Sequence, residues 1–257
     1  MILANRKILS ATGKKGRSPL HTAVKGEQVE VVKLLLKSRV DINAKSGKKD
    51  FERTPLHYAI IQANFEICDL LIQHQASVAA KDSEGNPSLN LAIQGNHADI
   101  VALLCKKRAD VDGSKSKVKP LHLAAQINSV AMFQLLLSLK AKMEIKSGGD
   151  DDDTVGHVAA FHGSLDILKL LQTKRMGKML SDAKNKQDQT CLHKACLNGH
   201  LECARFLVEK CGAKTNVNDK KGQTPFSLGQ NLAKTKPQNE QIRNLARFLA
   251  EKYGEGK

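Results

Sequence analysis

A six-residue phrase recurs along the 257-residue chain at a nearly constant interval. Clear copies read Thr-Pro-Leu-His-Tyr-Ala at residues 54–59 and Lys-Pro-Leu-His-Leu-Ala at residues 119–124. Five further copies, some of them weaker, occupy residues 18–23, 87–92, 154–159, 190–195 and 224–229. A unit of about 33 residues is too small to bury its own apolar face, so a chain built from such units folds by stacking them.

Most copies of the phrase carry signals of a helix start. Proline at the second place suits the first helical turn, where its missing N–H is no loss. Ser18 and Thr54 precede that proline and can cap free N–H groups. The third and sixth places lie on one helical face, because they are three residues apart. A second apolar stretch follows each phrase, as in residues 29–36, and predicts a second helix in every unit.

The phrase and its period resemble the ankyrin repeat, whose signature is Thr-Pro-Leu-His-x-Ala. The resemblance covers residues 13–253, after an N-terminal capping segment or remnant helix at 1–12 and before a tail at 254–257. It implies an all-α repeat solenoid of about seven helix-turn-helix units with short β-hairpin fingers. It also implies a monomeric scaffold or adaptor that binds a partner protein or peptide through its concave face.

A histidine stands at the fourth place of five copies, in a pattern that resembles a ligand array. In the ankyrin family this histidine makes structural hydrogen bonds between neighbouring units, and no carboxylate or serine nucleophile follows it here to form a triad. The sequence also lacks a phosphate loop, a nucleotide fingerprint and a nucleophile elbow. We therefore predict no catalytic residues, no cofactor and no enzymatic activity. The five histidines are His21, His57, His122, His157 and His193.

Two copies depart from the pattern. The third has Asn90 in place of the histidine. The fifth has Val155 and Gly156 in place of Pro-Leu, and it ends in a longer segment at 172–180. Because Gly156 brings no core side chain and lowers helix propensity by about 1 kcal/mol, the array is expected to be weakest or bent there. Harmless sequence drift is the favoured explanation of this departure, and a seam for a partner is the alternative.

Four of the six cysteines lie between residues 191 and 211. Zinc binding is one interpretation, but the spacing contains no paired C-x2-C knuckle. In the repeat frame Cys196 and Cys203 occupy core positions, where cysteine acts as a small apolar residue. We therefore predict core cysteines and no metal site.

Two loop features have a functional and a structural interpretation. The acidic run at 150–153 is expected to be a solvated finger loop, although calcium or a basic partner could use it; it lacks the spacing of a calcium loop. Asn43 resembles the ankyrin asparagine that asparaginyl hydroxylases modify, which implies a modification target, whereas asparagine is also common in turns for structural reasons.

The resemblance places a concave partner-binding face on the fingers and on the outward side of each first helix. Its order along the chain is basic, apolar and then acidic, which favours a partner with the complementary order, including acidic segments. The predicted partner-binding residues are Lys14, Lys15, Arg17, Lys25, Phe51, Arg53, Ile61, Gln62, Gln94, Lys117, Gln126, Ile127, Asp151, Asp153, Phe161, His162, Gln189, Leu197 and Asn198.

The chain has 41 lysines and arginines against 26 acidic residues, a formal charge of +15. This charge attracts phosphate, but aromatic residues are few and opposite charges are interspersed, so specific nucleic-acid binding and anionic lipid binding are not expected. No apolar run approaches the length of a membrane span, and Arg6 and Lys7 interrupt the N-terminal apolar stretch too early for a secretory signal. We expect a cytoplasmic protein without disulfides, with the nucleus as an alternative location. Alternative functions are a regulatory module of a larger enzyme or channel, and a pathogen effector that acts on host proteins.

Overall fold

The computed structural model describes residues 12–255 apart from residues 39, 115, 117 and 175. Within that part of the chain fifteen α-helices are present and no extended strand. Residues 1–11 of the predicted capping segment, and Lys117 of the predicted binding face, lie outside the described residues. The chain divides into two compact units, residues 1–120 and residues 121–257, referred to below as unit 1 and unit 2.

Unit 1 contains three helix pairs and two single turns of 3-10 helix. The first helices of the pairs pack side by side, and so do the second helices, as stacked repeats require. The pairs are α1 (Pro19–Lys25) with α2 (Val29–Lys37), α3 (Pro55–Ile61) with α4 (Phe65–Gln73), and α5 (Ser88–Gln94) with α6 (Ala98–Lys106). The 3-10 turns are Lys14–Gly16 and Lys48–Asp50.

Unit 2 contains four helix pairs and one additional short helix. The first of these helices begins at the last residue of unit 1. The pairs are α7 (Pro120–Gln126) with α8 (Val130–Ser138), α9 (Val155–His162) with α10 (Leu165–Thr173), α12 (Cys191–Asn198) with α13 (Leu201–Cys211), and α14 (Pro225–Thr235) with α15 (Glu240–Glu255). The additional helix is α11 (Gly177–Ser181). Helix α15 continues two residues beyond the predicted end of the array at residue 253.

The predicted helix starts are confirmed, with one detail that the sequence did not indicate. Ser18 precedes α1 and Thr54 precedes α3, and each takes part in a reciprocal capping box. The backbone N–H of Thr54 donates to Nδ1 of His57 over 3.1 Å, so the histidine takes the place that glutamate usually holds in such a box. Thr154 and Thr190 cap α9 and α12 in the same way.

The other ring nitrogen of each histidine reaches the next repeat, which confirms the predicted structural role. Nε2 of His57 donates to the carbonyl of Ala80 over 3.1 Å, and Nε2 of His157 donates to the carbonyl of Gln189 over 2.8 Å. Because Nδ1 accepts and Nε2 donates, the ring is held neutral. Burial lowers the pKa of His57 to about 4 despite the hydrogen bond to Ala80.

Asn90 performs the bridging function in the third copy. Its side-chain amide donates to the carbonyl of Val118 over 2.9 Å and to Oγ of Ser116 over 3.0 Å. The N-cap residue of this helix is Pro87, which has no N–H to offer, so the ring acceptor of a histidine at position 90 would have no donor there. The substitution therefore preserves the bond between repeats.

The additional helix α11 fills the space in the core that the irregular fifth copy leaves. Leu180 of α11 is fully buried. A Cβ atom placed on Gly156 would lie 2.9 Å from Cδ2 of Leu180 and 3.2 Å from Sγ of Cys191. Leu180 thus occupies the space that the leucine of a regular phrase would fill, so the missing side chain is replaced from the longer segment.

The cysteines lie where the repeat frame predicts them. Cys191, Cys196 and Cys203 are buried among apolar side chains, and all six cysteines are free thiols. Burial raises the pKa of Cys203 to about 12 and that of Cys105 to about 11. The core position predicted for Cys196 and Cys203 is confirmed.

The fingers are turns rather than the predicted β-hairpins. Few backbone hydrogen bonds cross a finger, such as Ser46 N–H to the carbonyl of Arg53 at 2.9 Å and Asn185 N–H to that of Gln189 at 3.0 Å. The described residues contain one isolated β-bridge, between Lys81 and Pro87. So few bonds do not make a ladder, which explains the absence of strands from this part of the chain.

Candidate functional site

The last residues of the first helices form a row in unit 1. Lys25 ends α1, Ile61 ends α3 and Gln94 ends α5, and all three are exposed. Ile61 is the apolar member of the row, and its exposed fraction is 45%. Since neighbouring first helices pack together, the row follows their common edge.

Phe51 adds a second exposed apolar side chain, from the second finger of unit 1. It adopts a left-handed backbone conformation with a φ of 63°, and its side chain is 43% exposed. The guanidinium of Arg53 lies 4.5 Å from the centre of the Phe51 ring, within the range of a cation–π contact. The Phe51 carbonyl accepts a hydrogen bond from the N–H of Ser83 in the next finger, which fixes its position.

Arg17 is occupied by an internal ion pair. Its guanidinium binds Asp50 in bidentate fashion over 2.5 and 2.8 Å, and the hydroxyl of Tyr58 donates to the same carboxylate. Burial opposes ionisation of Asp50, but the hydrogen bonds from Arg17 and Tyr58 outweigh it and lower the pKa of Asp50. The Arg17 side chain therefore stabilises the finger, and its charge is compensated internally.

Gln62 and Asn43 of unit 1 also have internal partners. The Gln62 amide donates to the carbonyl of Lys25 over 2.9 Å and links the ends of α1 and α3. The side-chain oxygen of Asn43 accepts a hydrogen bond from the N–H of Ser77 over 2.8 Å. Asn43 is exposed and fits a structural turn role; its modification stays a prediction.

The acidic finger of unit 2 is neutralised from within. Lys194 is 4% exposed, and its Nζ lies 2.8 Å from a carboxylate oxygen of Asp151 and 2.9 Å from one of Asp153. Asp153 also accepts a hydrogen bond from the Asn185 amide over 2.7 Å. The negative charge that was expected to face a partner is thus largely compensated at these two residues.

Unit 2 has its own row of residues at the ends of first helices. Phe161 is 36% exposed, Gln126 is exposed and Leu197 is half-buried. The carbonyl of Phe161 accepts hydrogen bonds from Asn198 over 2.7 Å and from His200 over 2.9 Å. Asn198 therefore plays the same linking part in unit 2 that Gln62 plays in unit 1.

The remaining predicted residues have mixed surroundings. Lys14, Lys15 and His162 are exposed, and Ile127 is half-buried. Gln189 is half-buried, and its amide lies 3.4 Å from a carboxylate oxygen of Asp219.

Sequence reasoning missed Lys48, Lys49, Tyr58 and Lys194. The two lysines lie at an exposed turn next to the predicted Phe51. The sequence does contain a feature that could have identified Lys194, because most copies of the phrase have an apolar residue at the fifth place, where this copy has lysine. Its partners, however, lie about forty residues earlier in the chain.

Two properties of the described residues bear on the class of site. They contain no group of three or more histidine, cysteine or acidic side chains arranged to hold a metal ion. Across the same residues, every helix is too short or too polar to cross a membrane.

Comparison with protein families gives matches along most of the chain. A profile described as "Ankyrin repeats (3 copies)" matches residues 44–115, 77–147 and 156–229. A profile described as "Ankyrin repeat" matches residues 15–47.

Similar proteins with curated descriptions have diverse roles. The chain is 30% identical over 130 residues to the Transient receptor potential cation channel subfamily A member 1 homolog of Caenorhabditis elegans, covering 50% of this chain and 10% of the channel. It is 29% identical over 118 residues to the probable 26S proteasome regulatory subunit p28 of Saccharomyces cerevisiae, covering 46% of this chain and 51% of p28. The chain therefore spans between a tenth and a half of the length of these relatives.

Comparison with solved structures supports the same fold. The ankyrin repeat domain of human ASB11 superposes with a TM-score of 0.69 at 21% sequence identity, covering 82% of this chain and 91% of that domain. At this identity the likeness concerns the fold alone.

Proposed function

Because the chain belongs to the ankyrin repeat family, whose repeats generally mediate protein–protein interaction and are typically non-catalytic, we propose that it binds a partner protein through the inner surface of unit 1. This inner surface is defined by the two exposed fingers and the row of first-helix ends. Its residues are Lys14, Lys15, Lys25, Phe51, Ile61 and Gln94.

The observation that carries the proposal is the exposure of Phe51 and Ile61. Neither side chain contributes to the buried core of unit 1, and each leaves more than two fifths of its surface in water. Burying a large apolar side chain yields about 1.5–3 kcal/mol. Apolar anchors surrounded by polar residues are typical of the centre of a protein interface.

The backbone of this surface is held in place before any partner arrives. The N–H of Gly47 donates to the carbonyl of Lys15 over 2.8 Å, and the N–H of Ser83 donates to that of Phe51 over the same distance. These bonds tie each finger to the next, and the Gln62 amide ties the helix ends. A surface fixed in this way loses little conformational entropy on binding.

A capture experiment with paired variants tests the proposal. The full chain and its Phe51→Ala/Ile61→Ala variant serve as baits in a lysate of the source cells, and captured proteins are identified by mass spectrometry. We expect a protein that the wild type retains and the variant loses, with affinity for the purified partner weakened about tenfold to hundredfold.

The matched control is Val31→Ala/Leu34→Ala, which truncates two comparably exposed apolar residues of the second helix α2. Circular dichroism and thermal unfolding establish that all three proteins fold. If the control loses the partner while Phe51→Ala/Ile61→Ala retains it, the proposed surface is wrong.

The equivalent row in unit 2 offers an independent contact. Phe161 is its exposed aromatic residue, whereas Asp151 and Asp153 are occupied by Lys194. We therefore propose that a partner contacts unit 2 through Phe161, Gln126 and Leu197 rather than through the acidic finger.

A second candidate function is that of a regulatory ankyrin module within a larger protein. It is favoured by the match to the C. elegans channel homolog, of which the chain covers 10%. An antibody against residues of unit 1, applied to a lysate of the source cells, separates the two. A band far above the mass of a 257-residue chain supports the module, and a single band at that mass contradicts it.

A further inference from the structure

We propose that the tips of the first two fingers of unit 1 form a lysine site that selects an acidic, phenylalanine- or leucine-bearing segment of the partner protein. The site, called the lysine fingertip below, consists of Lys14, Lys15, Lys48 and Lys49. This inference rests on the proposed function and specifies the chemistry of the segment that docks there.

The backbone brings the two tips together. Lys14–Gly16 and Lys48–Asp50 each form a single 3-10 turn, and the two turns pack against one another. The contact is close enough that a Cβ atom on Gly16 would lie 2.7 Å from the backbone nitrogen of Gly47. Gly16 also has a φ of +66°, a conformation that favours glycine. The two pairs of lysines therefore project from adjoining turns.

The four lysines are exposed. In the described part of the chain no hydrogen bond or ion pair engages any of their ammonium groups. The neighbouring carboxylates are engaged elsewhere: Asp50 is buried against Arg17 and Tyr58, and Glu52 lies 4.0 Å from Lys45. Residues 12–17 and 45–53 contain seven basic and two acidic side chains, so the surface of the fingertip is strongly positive.

Phe51 gives the positive tip an apolar neighbour. It follows Lys49 by two residues and presents an exposed ring, one part of which faces the Arg53 guanidinium. An acidic segment that also carries one apolar side chain would complement both the lysines and the ring. Its carboxylates would pair with the lysines, and its apolar group would pack on the Phe51 ring.

The same features favour a protein segment over single-stranded nucleic acid. Sequence-tolerant binding of nucleic acid uses several aromatic side chains on which successive bases stack. Here Phe51 is the one exposed aromatic ring within residues 12–17 and 45–53, and Arg53 packs against it.

Association kinetics test the inference with a defined probe. The probe is a fluorescein-labelled peptide of about ten residues, all glutamate apart from one central phenylalanine, because charges at the rim of an interface act mainly on the association rate. In the full chain, Lys14→Glu/Lys48→Glu/Lys49→Glu should reduce the association rate constant at least about tenfold at about 0.05 M salt. The difference from wild type should shrink at about 0.5 M salt, where the charges are screened.

The matched control changes the same number of charges elsewhere in unit 1. Lys37→Glu/Lys106→Glu/Lys107→Glu alters exposed lysines at the ends of the second helices α2 and α6. It should keep the association rate constant within about threefold of wild type. Equal slowing by both triple variants would mean that net charge alone steers the peptide, and the lysine fingertip would be refuted.

Two further outcomes separate this inference from the proposed function. Phe51→Ala should raise the dissociation rate constant of the probe while leaving its association rate constant within about threefold of wild type.

If the natural partner is lost by Phe51→Ala/Ile61→Ala but retained by the lysine variant, the proposed inner surface is supported and the lysine fingertip is refuted. Stronger competition by an oligothymidylate of equal charge than by unlabelled probe would likewise overturn the choice of an acidic protein segment.

Discussion

At the scale of single residues, the histidines of the repeated phrase combine two tasks in one neutral ring. Nδ1 closes the first turn of its own helix, and Nε2 holds a backbone carbonyl of the next repeat. Protonation would place a hydrogen on Nδ1 as well as on Nε2, and Nδ1 could then no longer accept the N–H of the capping residue. Burial accordingly lowers the pKa of His21, His57, His157 and His193.

Because these histidines must stay neutral in the folded chain, we predict that mild acidification lowers the free energy of unfolding. The unfolded chain, with an ordinary histidine pKa near 6.5, takes up protons before the folded chain does, so the stabilisation present above about pH 6.5 is lost as the pH falls. For His57, whose folded pKa is about 4, the contribution is on the order of 3 kcal/mol. Urea unfolding measured from about pH 7 to about pH 4 tests this expectation.

His57→Asn is the informative variant, because Asn90 already makes the equivalent bond in the third copy. We expect the variant to fold and to show a shallower pH dependence between about pH 6.5 and about pH 4 than the wild type. An unchanged slope would show that His57 does not carry the effect.

At the scale of elements, the short helix α11 is what allows the fifth copy to do without its core leucine. Leu180 packs over Gly156, and the helix also contacts α9, α10, α12 and α13 of unit 2. The longer segment at 172–180 therefore supplies the apolar side chain that Gly156 lacks.

Leu180→Ala is predicted to lower the free energy of unfolding by about 2–4 kcal/mol, because it leaves a cavity beside a residue with no side chain. Lys178→Ala in the same helix is the control and should change it by less than about 0.5 kcal/mol, since Lys178 is exposed.

A substitution at Gly156 tests whether a side chain at this position would occupy the same space as Leu180. Gly156→Leu alone should destabilise the chain, because its side chain would meet Leu180. Combined with Leu180→Ala it should recover part of the loss, since the new leucine occupies the vacated space. Additive losses in a double-mutant cycle would contradict this packing.

The elements also show which parts of the structure sequence reasoning can reach. The capping residues and helix pairs follow from local spacing, and the inter-repeat role of His57 follows from the family resemblance. The partners of Arg17 and Lys194 do not follow from either, because they lie 33 and 43 residues away and depend on how the fingers fold over the helices. The fingers were expected to be β-hairpins, but the described residues form turns and one isolated β-bridge there.

These long-range pairs also determine which predicted contacts remain available to a partner. Arg17 and Asp153 match the expected face by position, yet their charges are compensated internally. Lys48 and Lys49 had no place in the expected face, yet they are exposed and positive. Position within the repeat thus predicts on which face a side chain lies. The residues of the neighbouring finger determine whether that side chain is available to a partner.

At the scale of the whole molecule, the repeats of unit 1 present a surface that is fixed by backbone hydrogen bonds between the fingers, and we propose that this surface serves protein recognition. We propose that the partner docks on the inner surface of unit 1. The family resemblance gives the class of function, and the exposed pair Phe51 and Ile61 gives the place.

Site-specific photo-crosslinking tests this claim most directly. The photoreactive residue p-benzoylphenylalanine is introduced at position 61 or at position 34, both of which bear an exposed apolar side chain in unit 1. After irradiation in the source cells, we predict a discrete protein adduct from position 61 and none of that size from position 34. An adduct from position 34 with none from position 61 would place the partner on the second helices and contradict the account.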